Sequence, residues 1–222
     1  MLNYFSGIEG FYNILLIIAA YMIGSIPTSV WIGKIFFNID IRQHGSGNAG
    51  ATNTLRVLGT VPGLVVLIVD VFKGFIAVKL ALFTHLYAPE TLEFFKLEIL
   101  MAIGALCGHI FPVYVGFRGG KGVATLLGVG IGVHPEVTLI ATGVFLLTLL
   151  TTRYVSLSSI FAAISFPLLV IFAFGPVSEP LFIFSIMIAV LLPLTHQQNI
   201  SKLISGKESK MSFSKKTKRK GN

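Results

Sequence analysis

Three stretches rich in glycine, amide and basic residues interrupt an otherwise apolar chain: "GSGNAGATN" at residues 45–53, followed by Arg56; "GFRGGKGVAT" at 116–125; and "THQQNISKLISGKE" at 195–208. Glycines let consecutive backbone N–H groups turn toward one anion, and a helix starting just beyond them adds the partial positive charge of its N-terminus. Gly45, Gly47 and Gly50 in the first stretch, and Gly120 and Gly122 in the second, suit that use. Ser46, Asn48, Thr52 and Asn53 add side-chain donors, and Arg56 and Lys121 add full charges. Two such cradles point to a substrate that carries phosphate, or to two such substrates. In the third stretch His196 and Asn199 are three apart, so a continuing helix places them on one face, which Lys202 extends. A fourth polar stretch, "RYVSLSS" at 153–159, puts Ser156 at the start of another apolar run.

Two familiar phosphate-binding motifs fail on context. Gly45-x-Gly47-x-x-Gly50, with Asp70 twenty residues further on, has the spacing of a dinucleotide fingerprint. That fingerprint needs a preceding strand and a βαβ unit. Here the glycines follow "FFNIDIRQH" between two apolar runs, and Asp70 lies inside the apolar stretch "VPGLVVLIVDVFKGF". In the second cluster a P-loop would need a glycine five before Gly120 and Ser or Thr after Lys121, where the chain has Val115 and Gly122.

The elements that position these clusters are membrane helices. Of the 222 residues, 54% are hydrophobic and only 12% charged, with a mean hydropathy of +0.85. Such values lie outside the range of soluble domains. The formal charge of +8 does not signal nucleic acid, because many of the basic residues fall between Lys202 and Lys220. Read against the roughly 20 apolar residues that cross a bilayer, the runs predict an all-α, polytopic membrane protein. Its seven transmembrane helices lie near 11–33, 57–85, 92–111, 122–134, 136–152, 156–174 and 180–198. The fourth run is short and glycine-rich.

Orientation follows from the basic residues. With the N-terminus outside, one side collects Lys34, Arg42, Arg56, Arg118, Lys121, Arg153 and the tail, while Lys96 sits among Glu90, Glu93, Glu98, Glu136 and Glu179 on the other. The C-terminus and all the polar clusters are therefore expected at the cytoplasmic face. Residues 1–200 form the membrane domain in this reading, and 201–222 a basic, disordered tail suited to anionic headgroups. "MLNYFSGIEG" has no Lys or Arg, so the first apolar run is expected to remain rather than be cleaved as a signal peptide. Cys107, the single cysteine, reads as a small buried hydrophobe. Asp70 and Lys73, three apart on one helix, read as an intramembrane ion pair that fixes the second span near the site, with Lys79 free to snorkel.

Taken in order around these spans, "GSGNAGATN" with Arg56, "GHIFPVYVGFRGGKGVAT" and "HQQNISKLISGKE" resemble the bacterial acyl-phosphate-dependent glycerol-3-phosphate acyltransferases, the PlsY family. The resemblance runs from about Gly24 to Lys210, with two departures: Thr195 stands where an Arg is common, and Arg118 where a Lys is more usual. It implies transfer of a fatty acyl group from acyl phosphate to the first hydroxyl of glycerol 3-phosphate, giving lysophosphatidic acid and phosphate. The implied setting is the bacterial plasma membrane, with the active site facing the cytoplasm.

By that resemblance Ser46, Arg56, Lys121 and His196 hold the glycerol phosphate. Asn48 and Thr52, with the backbone of Gly45, Gly47 and Gly50, cradle the acyl phosphate. Ser156 and Asn199 orient the glycerol hydroxyls. The partners implied are the two substrates and membrane lipid, with no nucleic acid, no metal and no cofactor. The His-x4-Asp pair of other glycerolipid acyltransferases does not occur, since His44, His85, His109, His134 and His196 are followed at that offset by Ala49, Glu90, Tyr114, Leu139 and Ser201. An acyl phosphate is a mixed anhydride with a good leaving group, so positioning and charge stabilisation suffice. An organic-phosphate transporter is the main alternative, yet the sequence has no convincing internal repeat and gathers its clusters on one face. A purely structural or lipid-binding protein would leave Arg56, Lys121 and His196 without a joint role.

Overall fold

The computed structural model describes residues 7–83, 86–175 and 177–211, and among them helices and turns occur but no strand. Ten helices follow one another: α1 (Gly7–Gly24), α2 (Thr28–Phe37), α3 (Ala51–Leu58), α4 (Thr60–Lys79), α5 (Leu92–Ile110), α6 (Val123–Val133), α7 (Pro135–Thr152), α8 (Val155–Ala173), α9 (Glu179–Thr195) and α10 (Gln197–Ile204).

Their ends follow from local chemistry. Pro27, which lacks an N–H, separates α1 from α2. Asn38 closes α2 in the left-handed region at φ 58°. Thr91 caps α5 by accepting from the Phe94 N–H at 3.2 Å. Pro135 opens α7 at a position that needs no amide hydrogen.

Every apolar run expected to cross the membrane is helical, but not every one is long enough. Five segments have the length and apolarity of a span: Gly7–Phe37, Thr60–Phe83, Leu92–Val115, Pro135–Thr152 and Val155–Ala173. The pair α9 and α10, bent by 61°, makes a sixth if taken as one. The remaining segment, α6, has 11 residues, about 16 Å of helix against a hydrocarbon core of about 30 Å. The seven transmembrane helices expected, the fourth of them already short, are thus five or six segments of span length and one short helix, because Gly122 and His134 bound α6. Large apolar side chains such as Ile68, Leu147 and Phe172 point outward from these helices. This is the surface of a multi-pass membrane protein.

Close backbone approach sets the packing. Helix α4 lies against α6, and α1 against α5. A Cβ at Gly128 would run into the Val71 carbonyl of α4, and one at Gly108 into the Tyr21 carbonyl of α1. Such small-residue contacts are how helices associate where lipid removes the usual hydrophobic drive.

Two ion pairs lie within the spans. Lys73 Nζ lies 2.8 Å from Asp70 Oδ1, with both side chains under 5% exposed. It also donates to the Ile26 carbonyl at 2.8 Å, satisfying the helix break before Pro27. Lys79, expected to snorkel, instead meets Glu98 at 2.9 Å. Cys107, expected to be buried, is exposed on α5; in a membrane span an outward thiol meets lipid as readily as a buried one meets core. Residues 201–204 complete α10, and 205–211 fold back on the site described below, so these residues are ordered where a disordered tail is expected from 201. Residues 212–222 lie outside the described residues.

Candidate active site

The first glycine stretch follows helix α2 rather than a strand, which removes the dinucleotide reading on structural grounds as well. Asp40 accepts from the Arg42 backbone N–H at 3.0 Å and starts a 3-10 turn over Ile41–Gln43. Gly45 and Gly47 then take positive φ values of 62° and 74°. Asn53, set among the possible anion donors from sequence, turns inward instead. Its Oδ1 accepts from the Ser46 N–H at 2.8 Å, and its Nδ2 donates to the Ile41 and His44 carbonyls at 3.1 and 3.0 Å. A Cβ at Gly45 would strike that Asn53 side chain. The Gly47 N–H donates to His44 at 3.0 Å. Gly45 and Gly47 thus shape the turn around Asn53, and Gly47 is not the free backbone donor expected of it.

The second glycine stretch presses on the end of α5. Gly119 and Gly120 donate their N–H groups to the Ile110 and His109 carbonyls, each at 3.1 Å. A Cβ on Gly120 would meet the His109 ring and the Ala49 carbonyl of the first loop. Glycine is required at 120 for closeness, and its N–H is already used. Gly122 caps α6 in the left-handed region at φ 86°. Beneath both loops lies the buried set of Asp70, Lys73, His109, Thr28 and Thr125. Thr28 Oγ1 donates to Asp70 Oδ1 at 3.1 Å, and His109 Nδ1 lies 2.9 Å from Thr125 Oγ1. This network ties α2, α4, α5 and the start of α6 under the loops, as the expected role of the Asp70–Lys73 pair required.

The third cluster sits at a break, not on a continuing helix. Pro193 and the 61° bend separate α9 from α10 at His196. His196 is 3% exposed, with Nδ1 2.8 Å from the Leu192 carbonyl. Thr195 Oγ1 lies 3.4 Å from the Lys121 carbonyl, joining this break to the second loop. Lys121 Nζ donates to Asn199 Oδ1.

One residue of the site was not singled out from sequence. Glu208 Oε1 accepts from Asn199 Nδ2 at 2.6 Å and from Ser156 Oγ at 2.9 Å. The segment carrying it is held by the Met211 N–H on the Arg153 carbonyl at 2.7 Å and by Lys210 over the Tyr154 ring at 5.4 Å. Its visible signal was a lone acidic residue in a basic stretch.

These groups surround a cleft of about 490 Å³. Ser46, Gly47, Asn48, Gly120, Lys121 and Asn199 form part of its lining, beside the apolar Ile110, Phe111, Leu191 and Leu194. His196 stands buried behind Lys121, whose charge it feels, and Ser156 joins through Glu208. Thr52 and Arg56, four apart on α3, are exposed and are not among the lining residues. Burial pushes the Lys121 ammonium down to about 8, against the attraction of Glu208 and with the added repulsion of Lys202. No group of three or more His, Cys, Asp or Glu side chains suited to a metal occurs among the described residues.

The family model described as glycerol-3-phosphate acyltransferase matches residues 14–206. A glycerol-3-phosphate acyltransferase of Prochlorococcus marinus (strain MIT 9215) is 46% identical over 199 residues, covering 90% of this chain and 98% of its own. One of Staphylococcus carnosus (strain TM300) is 46% identical over 202 residues, with the same coverage. Among solved structures, the crystal structure of PlsY, an integral membrane glycerol 3-phosphate acyltransferase, in its glycerol 3-phosphate form superposes with a TM-score of 0.81 at 37% identity. It covers 90% of this chain and 96% of that one. The lysophosphatidic acid form gives a TM-score of 0.78 at 36% identity. A helical membrane fold, a glycine-lined cleft and matches over nine-tenths of the chain agree: the chain belongs to the glycerol-3-phosphate acyltransferase family, in its PlsY group.

Proposed function

We propose that this glycerol-3-phosphate acyltransferase takes its acyl group from an acyl phosphate and delivers it to the sn-1 hydroxyl, releasing lysophosphatidic acid and inorganic phosphate. The observation that carries the reading is the mixed lining of the cleft, where amide, hydroxyl and ammonium groups stand together with the apolar Ile110, Phe111, Leu191 and Leu194. A small soluble anion and a lipid-borne chain need both kinds of group in one site. In this reading Ser46, Lys121 and His196 hold the glycerol phosphate, with Arg56 reaching it from the open face of α3. Asn48, Thr52 and the backbone at Gly50 hold the donor's phosphate, and Ser156 and Asn199 orient the hydroxyls.

The acceptor oxygen attacks the acyl carbonyl carbon, the bond from that carbon to the phosphate oxygen breaks, and phosphate leaves. The hydroxyl proton passes to the phosphate of the donor, so no side chain need act as a strong base. Lys121 contributes a charge where negative charge gathers. The basic residues near the cleft favour a C-terminus and active site on the cytoplasmic face of a bacterial plasma membrane, with the N-terminus outside and the short α6 counted as one of seven segments.

The test is the purified protein given acyl phosphate and glycerol 3-phosphate, followed for phosphate and lysophosphatidate in equal amounts. Phosphate release that ignores the acceptor, or equal use of acyl-CoA, overturns the proposed chemistry.

A further inference from the structure

We propose that Arg42 is a positioning residue: it clamps the first glycine loop to the second and so fixes Lys121 against the cleft. Arg42 lies in the 3-10 turn just before Gly45 and is not among the residues lining the cleft. Asp40 grips one side of its guanidinium, with Oδ1 3.0 Å from Nε and Oδ2 2.7 Å from Nη2. The remaining nitrogen, Nη1, reaches across to the second loop and donates to the carbonyls of Val115 at 2.8 Å and Arg118 at 3.3 Å. The neighbouring Ile41 carbonyl is held by Asn53, which also holds the Ser46 N–H. A continuous chain of polar contacts therefore runs from Ser46 through Asn53, Ile41 and Arg42 to the loop that bears Lys121, three residues past Arg118.

The geometry calls for arginine. A guanidinium offers five N–H groups in a rigid plane, enough to meet a carboxylate on one edge and two carbonyls on another, whereas an ammonium cannot span both. Lys34 approaches Asp40 only at 3.7 Å and with half its side chain exposed, so it does not substitute for the fork. Both loops also touch where Gly120 meets the Ala49 carbonyl, and the Arg42 clamp keeps that contact closed.

This inference rests on the assignment of Lys121 to the phosphate of the acceptor. The test is steady-state kinetics of Arg42→Lys and Asp40→Asn, each alone and combined with Lys121→Met, together with melting temperature in the same detergent. A residue acting through Lys121 loses acceptor binding and then has nothing further to lose once Lys121 is gone. Either single variant should raise KM for glycerol 3-phosphate about tenfold with kcat within about threefold, and add less than about twofold in the Lys121→Met background. Wild-type KM in Arg42→Lys, effects that multiply in the double variants, or a lowered melting temperature with unchanged KM each overturn the clamp. A wild-type KM in Lys121→Met alone overturns the phosphate assignment and the clamp with it.

Discussion

Asn199 and Glu208 share a hydrogen bond of 2.6 Å across the turn that follows α10, and the same carboxylate oxygen accepts from Ser156 on α8. A carboxylate inside a site for anions repels what the site must bind, so its presence has to be offset by what it organises. It orders two donors and raises the proton affinity of the adjacent Lys121. Replacing Glu208 with glutamine keeps an acceptor oxygen but removes the charge. We expect Glu208→Gln to lower kcat/KM about tenfold, and a rate equal to wild type would show that the Glu208 charge does not serve catalysis.

The acid–base behaviour of Lys121 gives a second expectation. With its ammonium pushed down to about 8 by burial, the charged form is present below that pH and fades as pH rises through it. kcat/KM for glycerol 3-phosphate should therefore fall above about pH 8, since that ratio reports the free enzyme. Lys121→Arg keeps its charge throughout and should lose this alkaline limb. Glu208→Gln removes an attraction that raises the lysine, so its limb should move to lower pH. A limb that stays in place in both variants points to another titrating group.

Arg56 and Lys121 are proposed to supply the two full charges to phosphate. Arg56→Ala and Lys121→Ala should each cut acyl transfer tenfold or more, about the loss of one charge-assisted contact. Since Arg56 is exposed on α3 and Lys121 lines the cleft, added salt should weaken the contribution of Arg56 more. Measuring both variants across ionic strength checks this, and near-normal rates in the two would dismiss the phosphate cradle.

Within the membrane, Asp70 and Lys73 are each almost fully enclosed. Lys73→Met leaves the Asp70 carboxylate buried without its cation, beside Thr28 and the His109 ring, a loss of about 3–5 kcal/mol. The double variant Asp70→Asn with Lys73→Met should recover part of that stability. Thermal unfolding in detergent compares the three proteins, and a double variant no better than Lys73→Met would mean that the pair acts on something other than charge balance.

What the sequence made legible is what repeats locally. Apolar runs of span length, glycines beside Lys121 and the i, i+3 spacing of Asp70 and Lys73 all express short-range geometry. The short α3 is not legible as a helix of its own, since residues 51–56 belong to the polar stretch around the glycines and only Val57 and Leu58 fall within the second expected span. The bend at His196 was hidden for a related reason, since Pro193 can also sit in the last turn of an unbroken pattern. Asn53 and Gly47 show a different limit. A glycine-rich loop offers donors on paper, but whether they face a ligand or close the loop on itself depends on a side chain several residues away. Glu208 lay furthest from reach, because its partner Ser156 is on another helix and only the tertiary fold brings them together.

The mixed polar and apolar lining of the cleft also bears on how substrate is counted. In the proposed reaction the acceptor, a small anion, is measured per litre of water, whereas the acyl donor, with its fatty chain, is measured per area of bilayer. Turnover then has no single substrate concentration behind it. Adding lipid around the enzyme at a fixed amount of donor thins the donor in the bilayer, slowing that encounter while leaving the other untouched, so the membrane's own composition becomes a kinetic variable.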